Sequence, residues 1–204
     1  MRAALVWAAV LALAVTLLRL CGELAGWDAA VFDRRPGGGR SWLGITWLVI
    51  PVGFWLGRLL AKAGQRPSSV PRSAAVHLGG ISLLIALFVG AFAVTSSWPL
   101  RSVLVNGGAV LCGLLALWSW PRGFAVLFAY GLLSRLPVVV VQFVAIARGW
   151  DTHFAKGPPG SDPADAWWML TLAQLVLWPF AYTTLVGGFC AVIGALTVRR
   201  AVGS

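Results

Sequence analysis

The sequence predicts an all-α integral membrane bundle of six transmembrane helices in a single domain, on three observations. The 204 residues are 59% hydrophobic and only 11% charged, against about 25% charged residues in an ordinary soluble domain. The apolar residues collect in six runs long enough, or nearly so, for a bilayer core that takes ~20 helical residues. These runs lack the alternation of a membrane β-strand, and backbone that crosses lipid must satisfy its own hydrogen bonds, which leaves helices. One water-soluble core of this size has no room for so much apolar surface.

The predicted spans cover about 3–25, 42–63, 74–95, 102–119, 123–147 and 164–198. The first opens like a signal peptide, with Arg2 before an apolar run. However, Arg19-Leu20-Cys21 puts Leu where a lipoprotein signal wants a small residue, and cleavage near Ala12-Leu13-Ala14 would leave a cramped apolar region. The span is therefore read as uncleaved. Pro51 and Pro137 fall inside the second and fifth spans, where kinks are expected. The fourth span is short. The sixth is long, so it should tilt, kink or extend beyond the hydrocarbon. It has a start signal: Asp162 as N-cap, Pro163 at the first helical position and Asp165 in the first turn. Pro179 within it removes a donor and frees the Leu175 carbonyl, which predicts a kink there.

Basic residues in the loops set the orientation. One side carries Arg2, Arg58, Lys62, Arg66, Arg72, Arg122, Arg199 and Arg200, and the other Arg34, Arg35, Arg40, Arg101, Arg148 and Lys156. This bias puts both termini in the cytoplasm. All six acids (Glu23, Asp28, Asp33, Asp151, Asp162, Asp165) then fall outside. Trp27, Trp42, Trp98, Trp150, Trp167 and Trp168 map to the outer interface, and Trp118 and Trp120 to the inner one. Belts of this kind form where an apolar ring with a polar N–H meets headgroups.

Several chemistries are disfavoured. The net charge of +10 is scattered between apolar runs, so nucleic acid is not an expected partner. Cys21, Cys112 and Cys190 form no CxxC pair, and His77 and His153 are the only histidines. Neither a metal cluster nor a disulfide framework is expected, and the cysteines read as small buried hydrophobes. The run Arg35-Pro36-Gly37-Gly38-Gly39-Arg40 lacks a following Gly-Lys-Ser/Thr and is no phosphate loop. Gly-x-Ser-x-Gly and His-Glu-x-x-His are absent, and no cofactor is expected.

The most expensive residue is Arg135, midway between Arg122 and Arg148 and so near the bilayer midplane. An Arg at a helix centre costs ~2.5–3.5 kcal/mol on insertion scales, so it should face protein or a wet cavity. Gln142 follows on nearly the same helical face. Asn106 and Gln174 fall at similar depth in the outer half, and Arg19 near the end of the first span is expected to snorkel outward and pair with Glu23. Together these residues predict a polar layer between midplane and outer face. It reads either as a pocket for an anionic group or as a structural Arg satisfied by amides, water or the Leu133 carbonyl freed by Pro137. The Asn and Gln residues read best as helix-to-helix glue.

The outer loops hold the second constellation. Gly-Trp-Asp occurs twice, at Gly26-Trp27-Asp28 and Gly149-Trp150-Asp151, each after an inside-to-outside span. It is read as an interfacial ending with Trp at the headgroups and Asp capping outside. Asp151 and His153 supply two metal ligands, or a base and its orienter, against a reading as plain loop caps. His77, at the other end of its span, does not join them.

Trp150-x-Thr152-His153-Phe154, followed by Pro158-Pro159-Gly160 and preceded by Ser134-Arg135-Leu136-Pro137 in the helix before, resembles a loop of uncharacterised bacterial polytopic membrane proteins. The resemblance covers that loop and helix. It implies a bacterial membrane location and carries over no catalytic role. The leading functional expectation is a non-enzymatic accessory, scaffolding or binding protein with an outer-facing polar pocket. Its expected partners are membrane lipids, a homo-oligomer or a larger membrane complex. The alternatives are a small transporter or lipid-handling protein using Arg135, and a membrane enzyme using Asp151 and His153.

Overall fold

A computed structural model describes residues 1–38, 43–158 and 160–199. The expectations for Gly39, Arg40, Trp42, Pro159 and Arg200 lie outside these residues. The chain forms six helices, each long and apolar enough to cross a membrane, and no strand among the described residues. They are α1 (Arg2–Ala25), α2 (Ile45–Lys62), α3 (Val70–Val94), α4 (Trp98–Ser119), α5 (Pro121–Ala147) and α6. Helix α6 is continuous over 163–196, in three segments: Pro163–Leu172, the π-helical Ala173–Val186, and Gly187–Leu196.

Helix starts differ most from expectation. Helices α3, α4 and α5 begin two to four residues early, and each carries Pro in its first turn: Pro71, Pro99 and Pro121. The proline ring is preset for helix, and its missing N–H would have no partner there anyway. Ser69 adds a cap, its side chain accepting from the Arg72 N–H at 3.4 Å. As a result α4 has 22 residues and is not short. Pro51 and Pro137 lie inside helices that continue through them. Pro179, where a kink is expected, lies inside a π-helical stretch. The surrounding 14 residues widen into i→i+5 turns, in which the missing donor is owed to the Gln174 carbonyl rather than to Leu175. At the start of α6 the Asp162 carbonyl accepts from the Ala166 N–H at 2.8 Å.

Helix α6 is the hub. Its π-helical middle packs on α3, α4 and α5, its last segment packs on α2 and α3, and α1 lies against α5 and α2. The α2–α6 crossing is close because small residues repeat at four-residue spacing. Gly53 and Gly57 face Gly187 and Ala191, and a Cβ on Gly57 would run into the Ala191 backbone. In lipid, where apolar burial gives little drive, such backbone approach supplies the packing energy. Leu56, Leu60, Leu127 and Tyr130 fill the adjoining core, while Trp7, Ile85, Val89, Leu111 and Val140 are exposed on the perimeter. Trp118 is 63% exposed, as an interfacial ring should be, but Trp120 is only 3% exposed. Trp120 is therefore a packing residue seated against Gly123, not an anchor.

The two Gly-Trp-Asp stretches terminate α1 and α5 by the same device. Gly26 and Gly149 have φ of 69° and 62°, in the left-handed region open to Gly. The Gly26 N–H donates to Glu23 O and the Trp27 N–H to Gly22 O; the Gly149 N–H donates to Ile146 O and the Trp150 N–H to Ala145 O. This is the Schellman ending. The glycine makes the cap, and the aspartate expected to cap does not: Asp28 accepts from the Ala30 N–H instead.

Candidate functional site

The ends of α1 and α5, the starts of α2 and α6, and the loop residues 26–38, 43–44, 148–158 and 160–162 meet at one end of the bundle, where all six acids also fall. Below these loops a cavity of about 280 Å³ opens between α1, α2, α5 and α6.

Arg135 borders the cavity from the middle of α5 and is 4% exposed. Its Nη1 donates to Gln174 Oε1 at 3.1 Å and its Nη2 to Thr46 Oγ1 at 3.3 Å. Its Cζ lies 4.4 Å from the centre of the Trp178 ring. Gln174 and Trp178 are both on the π-helical segment, whose wide turns bring residues four to five apart into register. Arg135 is thus held across to other helices, not back to the Leu133 carbonyl. Every partner is neutral, and no carboxylate among the described residues pairs with it.

A second group closes the loop side. Glu23, at the end of α1, is fully buried. Its Oε1 accepts from Arg19 Nε at 3.0 Å and meets His153 Nδ1 at 2.5 Å, while its Oε2 accepts from the His153 backbone N–H at 2.8 Å. Arg19 does not snorkel. It is 9% exposed and donates through Nη1 to the Leu43 carbonyl at 2.8 Å. The i,i+4 pair with Glu23 does form. The loop is seated by Phe154, 3% exposed, which packs among Ala12, Ile45, Val138, Val141 and Ala145. Burial pushes the His153 imidazole below its usual range; the charge of Arg19 acts the same way, and Glu23 and Asp33 oppose it. A neutral ring facing a carboxylate carries its proton on Nδ1, which leaves Nε2 as an acceptor.

Asp151 and His153 do not form a pair. Asp151 is exposed and turns outward, 2.6 Å from Lys156 Nζ and 3.5 Å from Arg34 Nη1. Lys156 first, and Arg34 after it, hold its carboxyl below the ordinary aspartate range. A two-residue spacing in a tight turn sends the two side chains apart, and the buried acid that His153 meets comes from α1.

The structure therefore brings Arg19, Arg135, Gln142, Gln174 and His153 to one cavity and leaves Asp151 outside it. Asn106 belongs elsewhere: its Oδ1 accepts from the Leu177 N–H at 3.2 Å, and its Nδ2 donates to the Ser102 carbonyl at 2.7 Å. This amide ties α4 to the π-helical segment, the glue role expected for it. It also lines a separate, almost wholly apolar cavity of about 340 Å³ with Phe88, Phe92 and Trp98. Gln142 is 5% exposed, and its Oε1 has no hydrogen-bond partner among the described residues. Thr46 and Trp178 were not legible as site residues. Thr46 is a lone hydroxyl at a helix start, and Trp178 is indistinguishable in sequence from an anchor. No group of three metal-ligating side chains occurs among the described residues.

Comparisons with protein-family models, with curated proteins and with solved structures give no match. Fold and site together define a multi-pass, six-helix membrane protein with a basic cavity under a docked loop.

Proposed function

We propose that this chain is a non-enzymatic binding protein of the bacterial cytoplasmic membrane, with both termini inside and a cavity that takes an anionic group from the outer side. One observation carries the reading: Arg135 is buried on a cavity with only neutral partners. Hydrogen bonds donated by Arg135 to Gln174 and Thr46 satisfy its geometry but leave its charge uncompensated. A buried charge is normally paired. An anion ~4 Å away gains about 4 kcal/mol at an effective dielectric of about 20, against ~1 kcal/mol in water. That gain is comparable to the ~2.5–3.5 kcal/mol cost of inserting the Arg. Arg19 also lines the cavity, but its charge is offset by Glu23.

The orientation rests on eight basic residues against six in the loops, and the bacterial location on the resemblance of the 150–160 loop. A transporter or lipid-handling protein would use the same Arg135 and differs only in whether the ligand crosses. The enzyme reading built on Asp151 and His153 loses its geometry, since the two face different partners.

The test is thermal unfolding of the purified chain in phosphatidylcholine nanodiscs with added phosphate, sulfate, carboxylates or anionic lipid. A ligand at about a hundred times its Kd stabilises by ~2.7 kcal/mol. Wild type should gain stability with at least one anion. Arg135→Gln should keep its helical spectrum and lose that gain, while Arg135→Lys keeps part of it. Wild-type stability that no anion changes would sink the proposal and favour a purely structural Arg in an accessory subunit.

A further inference from the structure

An anion pocket needs only donors, and this one also presents an acceptor. His153 lines the cavity with Arg135, and its backbone N–H and Nδ1 are both turned to Glu23. The buried carboxylate, itself held by Arg19, sets the ring orientation and its tautomer. The other ring nitrogen, Nε2, is not used in the contact with Glu23, and the His153 side chain borders the cavity. A neutral imidazole in this setting repels an oxygen that carries only lone pairs and accepts from one that carries a proton. Gln142 stands on the same cavity, at least nine-tenths buried, with its Oε1 unpartnered. A terminal amide offers both a donor and an acceptor to whatever fills the space. At about 280 Å³ the cavity lies just below the usual range for small-molecule sites, ~300–1,000 Å³, which suits a headgroup-sized fragment.

We infer that the cavity takes a phosphate group that keeps a proton on one oxygen, with the charged oxygens on the Arg135 guanidinium and the P–OH donating to His153 Nε2. Inorganic phosphate, a soluble phosphate monoester and the headgroup of phosphatidic acid share this chemistry. The assignment rests on the anion reading of the cavity and goes beyond it by naming the ligand class. Glu23 is a positioning residue in it, acting only through His153.

Phosphate and sulfate separate the possibilities, because they share tetrahedral geometry and sulfate has no O–H at neutral pH. The full chain in phosphatidylcholine nanodiscs should bind inorganic phosphate roughly ten- to hundredfold more tightly than sulfate at neutral pH, the cost of facing an acceptor with no donor. Replacing phosphatidylcholine in part by phosphatidic acid, without added phosphate, distinguishes the sources: stabilisation by the lipid alone assigns a headgroup, and stabilisation by inorganic phosphate assigns a soluble ligand. In His153→Gln the preference should fall by about tenfold or more while Arg135-dependent binding survives.

If that variant does not fold, the wild-type chain still decides. Acidification charges the ring that Glu23 and Asp33 face from one sign and Arg19 from the other, turns Nε2 into a donor, and should erase the discrimination against sulfate. Equal, Arg135-dependent binding of both anions at neutral pH would overturn the ligand class and leave the anion pocket standing. Failure of both anions and of phosphatidic acid, with a carboxylate still stabilising the chain, would overturn the ligand class alone, and failure of every anion would overturn the pocket as well.

Discussion

Glu23 and His153 lie 130 residues apart and are joined twice, through the His153 backbone N–H at 2.8 Å and its Nδ1 at 2.5 Å. The pair ties the end of α1 to the loop between α5 and α6, directly above the Arg135 cavity. Each partner has an obvious neighbour in sequence, Arg19 for Glu23 and Asp151 for His153. One of these local pairings forms and the other does not, and the difference is burial.

Removing the Glu23 carboxylate should be costly. Glu23→Ala takes the anion from a fully buried site between Arg19 and His153. Loss of one partner from a buried ion pair costs about 3–5 kcal/mol. Chemical unfolding in detergent should show a loss of that order. Glu23→Gln, which still accepts from the His153 N–H, should lose less. A loss under ~1 kcal/mol for Glu23→Ala would show that the pair does not hold the loop.

Asp151→Asn is the contrasting case. Its partners Lys156 and Arg34 meet it in the open, where solvent and salt screen the pairing. Neither the unfolding midpoint nor the response to phosphate should move measurably. A change in phosphate affinity would mean that Asp151 reaches the cavity after all.

The pH dependence has a definite sign. Unfolded His153 takes up a proton near pH 6.5 (about its ordinary value), and the folded ring does so only at lower pH because it is buried. Below about pH 6.5 the unfolded state therefore binds more protons, and acid favours unfolding. The contribution of this residue is intact above that value, declines as the pH falls, and is fully lost below the folded pKa. Unfolding midpoints between about pH 8 and pH 5 should fall more steeply for wild type than for His153→Gln, which has no such proton to bind. Parallel curves would show that burial does not depress the His153 pKa.

The α2–α6 crossing gives a prediction independent of the site. Gly57→Ala places a methyl against the Ala191 backbone, which no rotamer change relieves. Overpacking of this kind costs ~1–3 kcal/mol. Gly90→Ala, with nothing within 4 Å of the new methyl, is the control and should be neutral or slightly stabilising. Equal behaviour of the two variants in an unfolding titration would argue against close backbone packing there.

The number, apolar character and approximate placement of the helices were legible in the sequence by itself, because a bilayer imposes length and hydropathy on each span separately, although α3, α4 and α5 start two to four residues early. The burden on Arg135 was legible for the same reason, since depth follows from counting residues between Arg122 and Arg148. The Arg19–Glu23 pair was legible because i,i+4 neighbours meet within one helix. Only the tertiary structure decided the rest. That His153 turns from Asp151 to Glu23, that Thr46 and Trp178 complete the surroundings of Arg135, and that Asn106 serves α6 instead of the cavity all depend on which helix faces lie side by side. Hydropathy is nearly the same all round a membrane helix, so it carries little information about facing. The facing is set by where glycines let backbones approach and by where a buried charge finds its partner, and both are relations between distant parts of the chain.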